Sequence, residues 1–315
     1  MKLSKKIMAR AASGIAVLLF ALAASVVVLA QEAASNENYA IFVSQRNGAA
    51  ELYLLDLNTR QVSQLTNTGR GHLTPAVSDS REMVFASREG SNYELFSASL
   101  GTALRTRRPT ITGINRLTMN FSDETAASIT RDGRSIAFVS GNGIEIMASV
   151  GAGRQVVIPA SEQSIDFAPA ISPDGTRIAF VSNRGGAYDL WVYTRANGEL
   201  RQLSRGAKAS GGLKWSADGK QIVFNTTATS SESSGIALAD ADSGGFRVLT
   251  EKGDFNGALS LRGDRLLFTS TRDGDAELYL LTLGTGTAER LTFSAGVDDG
   301  AAFVAEPVRQ GKPMR

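Results

Sequence analysis

Six residues share one position of a repeating pattern: His72, Glu124, Asp166, Ser210, Asp254 and Asp298. Each stands six residues before an anchor in the series Ser78, Thr130, Ser172, Ser216, Ser260 and Val304, small hydroxyl residues except the last. Four of the six are acidic. Carboxylates converging on a partly enclosed mouth would hold a hard cation such as Ca2+, or a basic peptide end. The same residues suit a plainer role, because Asp accepts hydrogen bonds from nearby backbone N–H groups and braces turns. Spacing leaves both roles open and specifies no metal.

A second recurring set places a cation shortly before an acid: Arg46 and Glu51, Arg88 and Glu94, Arg184 and Asp189, Arg272 and Glu277. Cross-strand ion pairs bracing a turn are expected there, worth about 0–1 kcal/mol each if exposed. The fifth copy lacks both partners, and the third keeps Glu145 but has Asn142 near the Arg position. Arg105, Arg107 and Arg108 form a third cluster, in the stretch Ser99–Gly113 where the repeat is longest. Such a loop is either a solvated surface or a contact for an acidic partner.

Catalytic constellations are scarce. The chain has one histidine, so no imidazole cluster can be assembled around a metal. It has no G-x-S-x-G nucleophile elbow. Carboxylate pairs for glycoside hydrolysis would have to come from acids that the repeat spreads around a ring.

The elements that position these residues follow from the repeat itself. A Phe recurs at Phe42, Phe85, Phe138, Phe180, Phe224 and Phe268, seven or eight residues after an anchor wherever one precedes it. Turn chemistry such as Asp132-Gly133, Asp174-Gly175 and Asp218-Gly219 separates anchor from Phe. Asp and Gly tolerate the positive φ of tight hairpins, so two antiparallel strands reverse there. An acidic-apolar-aromatic triplet, as in Asp189-Leu190-Trp191, marks a third strand, and Leu-Thr or Leu-Ser pairs such as Leu203-Ser204 mark a fourth. Four short strands every ~44 residues make a propeller blade. Six Phe anchors predict an all-β, six-bladed β-propeller of four-stranded blades. Phe42 has no innermost strand before it, and Ala301–Val304 has no blade after it. The C-terminal strand is therefore expected to complete the first blade, which also protects two sheet edges.

The Ser172-Pro173-Asp174-Gly175 turn, the Ile178-Ala179-Phe180 strand and the Asp189-Leu190-Trp191 strand resemble the WD-like repeats of the TolB-type six-bladed propeller family. The resemblance covers about residues 40–307 and implies the scaffold rather than the task. Proteins of that type carry an α/β domain before the propeller, whereas here residues 31–39 read as a short linker.

Lys2, Lys5, Lys6 and Arg10 precede the apolar or small run Ala11–Ala30. Residues 1–30 thus read as an export signal peptide, with small residues suited to cleavage before Gln31, or as an uncleaved membrane anchor. Either way the chain is expected in the periplasm or outside the cell, and it touches a membrane only through that segment. Residues 308–315 are a tail. The net charge of +2 includes those four N-terminal cations, leaving −2 beyond residue 30 and no basis for nucleic-acid binding. With no Cys, disulfides and lipoprotein processing are excluded. The sequence reads as an exported, monomeric, non-catalytic scaffold for an envelope protein or peptide, without a cofactor beyond a channel Ca2+. The competing reading is a cation-dependent carbohydrate or small-molecule enzyme, or a sensor, that uses the acidic mouth.

Overall fold

The computed structural model describes residues 37–73, 75–102, 109–141, 143–227 and 233–305. These form six four-stranded antiparallel sheets, the blades of a propeller. Blades two to six each use four consecutive strands, with spatial order equal to sequence order. Blade one borrows its innermost strand from the C-terminal end. Asp298–Val304 pairs with Tyr39–Ser44, Tyr39 opposite Val304 and Ser44 opposite Asp298. The expected closure is present.

Each second strand reads as a nearly unbroken apolar run because both its faces are covered by neighbouring blades. In Arg177–Ser182, Ile178 and Phe180 pack toward blade three, while Ala179 and Val181 pack toward blade five. Six apolar clusters result, one at each blade–blade junction, and each contains one anchor Phe. Burying a Phe side chain contributes roughly 1.5–3 kcal/mol, so these junctions hold the ring closed.

The hydroxyl anchors have a local cause. In the blade-four turn, Ser172 Oγ donates to Asp174 Oδ1 at 2.6 Å and accepts from Arg177 N at 2.9 Å. Gly175 N closes the turn on Ser172 O at 2.9 Å, with Gly175 at φ +72°, a conformation L side chains rarely adopt. Ser216 with Asp218, and Thr130 with Asp132, repeat the arrangement. The hydroxyl ending the fourth strand acts across the sheet. Thr66, Thr118, Ser204 and Thr292 each accept a third-strand backbone N–H at 2.8–3.0 Å.

Innermost strands are not regular. Ala126, Ala168, Asn256 and Gly300 each adopt a left-handed φ between 50° and 67°, two residues after the recurring position. Register shifts flank them, so each is a bulge that re-aims the strand. The proximal rim below is the one where innermost strands begin, and the distal rim the one where they end.

Candidate functional site: the central channel and its two rims

At the proximal rim the recurring acids turn away from the axis. Asp166, Asp254 and Asp298 each accept Arg Nη2, from Arg184, Arg272 and Arg46, at 2.7–2.8 Å. The arginine Nε in turn donates to Ser182, Ser270 or Ser44 Oγ at 2.8–2.9 Å. Each guanidinium also lies over its blade's Phe, 5.3–5.6 Å from the ring centroid. This corrects the expected pairing. Each arginine bridges to the innermost strand, because Asp189 and Glu51 are taken by backbone donors from the connection to the next blade. Asp189 accepts Ala207 N at 2.7 Å, and Glu51 accepts Thr68 N at 2.7 Å and Gly69 N at 2.6 Å. Arg88 lies over the Tyr93 ring.

Blade three reaches the same end by another route. Arg154, from the turn before the fourth strand, pairs with Glu124 at 2.9 Å and with Glu145. Burial drives the Glu124 carboxyl up, against hydrogen bonds from Asn120 and Arg154. Across from it, Glu94 is also pushed up by burial, but hydrogen bonds from Thr118, Asn120 N and Arg116 outweigh this and hold it down. His72 is buried with Nε2 3.2 Å from Glu51 Oε2 and 3.1 Å from Thr68 Oγ1. Burial lowers its pKa, with Glu51 opposing.

Ser210 does not occupy the shared position. Ala209 stands opposite Thr226, as Asp166 stands opposite Ser182. One extra residue in this strand, absorbed by two register shifts, displaces the count, and Ser210 is exposed. Arg105, Arg107, Arg108 and Asn142 lie outside the described residues, as do residues 1–36 and 306–315. None of the six recurring residues lines the central cavity, and among the described residues no cluster of three acidic or histidine side chains could hold a metal ion.

The cavity itself, about 390 Å3, is lined by the innermost strand of every blade and is therefore the channel of the propeller. Two residues before each anchor stand Ala76, Ser128, Ala170, Lys214, Ala258 and Ala302, all channel-lining. Five are small; the sixth is a lysine. Comparing that column across the repeats would have found it, although Lys214 belongs to no motif. Its Nζ crosses to blade one and donates to Ala301 O at 2.7 Å. Lys214 is partly reachable by water yet walled in by protein, as a side chain inside a channel must be. That enclosure lowers its pKa to about 8, against the opposing charge of Asp299. Asp299 is already satisfied by Thr269 Oγ1 at 2.8 Å and by Asn256 Nδ2 at 2.9 and 3.1 Å.

At the distal rim Glu37 is buried, accepts Leu261 N at 3.0 Å, and stands 3.6 Å from Arg265. Burial raises its pKa to about 7, only partly offset by Leu261 N and Arg265. The proximal face differs in kind. Of the ten exposed large hydrophobic residues among those described, six sit on its loops: Met119, Phe121, Ile165, Tyr188, Phe293 and Val297.

Fold and channel together define a six-bladed β-propeller closed by its own chain ends. No family model matches the chain. Over 100 residues it is 37% identical to the Tol-Pal system protein TolB of Anaeromyxobacter dehalogenans, covering 32% of this chain and 22% of that protein. Over 145 residues it is 31% identical to a TolB homolog of Chlorobium chlorochromatii, covering 46% of this chain and 31% of that protein. The chain thus matches less than a third of the length of either relative. The crystal structure of TolB from Acinetobacter baumannii superposes with a TM-score of 0.67 at 20% identity, covering 85% of this chain and 66% of that one. The chain is a six-bladed β-propeller, and part of its length is similar in sequence to TolB proteins.

Proposed function

We propose that this chain is an exported, non-catalytic propeller that docks a protein or peptide partner of the cell envelope on its proximal face. One observation carries the reading: apolar side chains gather on the loops of that face, with Phe121 fully exposed and Met119 81% exposed. Exposed aromatic and Met side chains on rigidly supported loops are what recognition surfaces are made of. The basic, then apolar, N-terminal residues support export, and the TolB likeness supports an envelope setting. A channel-mouth cation would need Asp166, Asp254 and Asp298 to exchange their arginines for it. That cost favours a protein partner. A photo-crosslinking residue at Phe121, compared with one at distal Val150 in intact cells, tests the reading. A discrete adduct from Phe121 alone is expected; equal or absent adducts at both positions would overturn it.

A further inference from the structure

The channel has a chemistry of its own, independent of the proximal face. An ammonium carries three N–H donors, and among the described residues Lys214 Nζ gives one of them to a protein acceptor, Ala301 O. The remaining donors face a channel whose wall near them is Ala170, Ala258, Ala302 and Trp215. The nearest carboxylate, Asp299, is held by donors of its own and makes no ion pair with Nζ. An enclosed cation with spare donors among apolar walls favours an anionic oxygen, because low local polarity strengthens the attraction. The volume of about 390 Å3 lies toward the small end of small-molecule sites, roughly 300–1,000 Å3.

We propose that the central channel is a binding site for a small organic carboxylate with an apolar body. The carboxylate sits on Lys214 Nζ, and the apolar body lies along Trp215, Leu259 and Phe303 toward the distal rim, all of which line the cavity. A free acid and the C-terminal carboxylate of a short peptide share this chemistry. The charged groups in reach are Asp299, which acts on Lys214 without lining the cavity, and Glu37, Asp79 and Arg131, which line it at the distal rim. Arg131 pairs with Asp79, which leaves Glu37 as the rim group that gains charge near neutrality.

The probes are phenylacetate, its neutral amide, and the dipeptide Gly-Phe with free or amidated C-terminus, titrated calorimetrically into the full chain at pH 6.5. Saturable binding of phenylacetate is expected, at least about tenfold tighter than of the amide, since a charge-assisted hydrogen bond is at stake. Lys214→Met should remove that preference. In a Glu37→Gln background, phenylacetate affinity should fall as pH rises through about 8, as the ammonium is lost. Free Gly-Phe binding where its amide does not would assign the site to chain ends, whereas phenylacetate alone would assign it to free acids. Equal affinity for acid and amide, no saturation, or binding that strengthens above pH 8 overturns the proposal. The acid–amide comparison on the unmodified chain stands even if Lys214→Met fails to fold.

Discussion

Blades four and five are neighbours built from the same repeat, yet they are held differently. Blade four carries the full charged brace, with Arg184 joining Asp166, Ser182 and the rings of Phe180 and Trp191. Blade five places Ala209 where the acid would be, Thr226 where the serine would be, and Gly235 where the third-strand acid would be. Thr226 Oγ1 instead donates to Ala207 O at 2.6 Å. Both blades share the apolar cluster between them, which contains Phe224 and a run of alanines. A blade therefore requires its Phe, its hydroxyl turns and its covered faces, and the ion pair is an addition. Blade five, without the brace, also puts a lone charge into the channel.

The comparison can be broken at three levels. Phe180→Ala and Phe224→Ala should each lower unfolding free energy by about 3–5 kcal/mol in urea titrations, because both create a cavity in a closed junction. A much smaller loss in blade five would mean that the shared core is not shared equally. Next, Arg184→Met leaves Asp166 nearly buried beside an apolar side chain and should cost about 2 kcal/mol; Asp166→Asn added to it should recover most of that loss. A double variant no more stable than the single one would make the arginine's stacking on Phe180 the larger part. The smallest effects lie in pH dependence, on the order of 1 kcal/mol each once solvent screening is allowed for. Lys214 is depressed to about 8, so the unfolded chain binds more protons between about 8 and 10.5 and stability rises with pH there. Glu37 is raised to about 7, so its contribution is present below 4.5 and is lost as pH rises through 7. Lys214→Met and Glu37→Gln should flatten their respective windows, as read from urea midpoints across pH.

Blade number, strand order and ring closure were legible because their signals are local. A hydroxyl, an Asp-Gly turn and a Phe at fixed distance each specify a few bonds within ten residues, such as Ser172 to Asp174 and Arg177. The ring of acids was legible as a position but not as a direction. Bulges at Ala126, Ala168 and Asn256 re-aim the innermost strands, and sequence spacing cannot say which way a residue before a bulge faces. Blade five shows the same limit: one inserted residue moved Ala209 into the place that counting gave to Ser210. Partner choice was hidden for a related reason. Arg184 lies five residues from Asp189 in sequence but closes on Asp166, eighteen residues back, because Asp189 is engaged by Ala207 N.

The seam of blade one sets how this molecule responds to tension. Tyr39 and Val304 face each other on adjacent antiparallel strands at the distal rim, so a pull on both chain ends would load one pair of hydrogen bonds at a time. The strands would peel like a zipper from Tyr39 toward Ser44, a far weaker geometry than sliding past one another. Attachment through one end only would leave the seam unloaded.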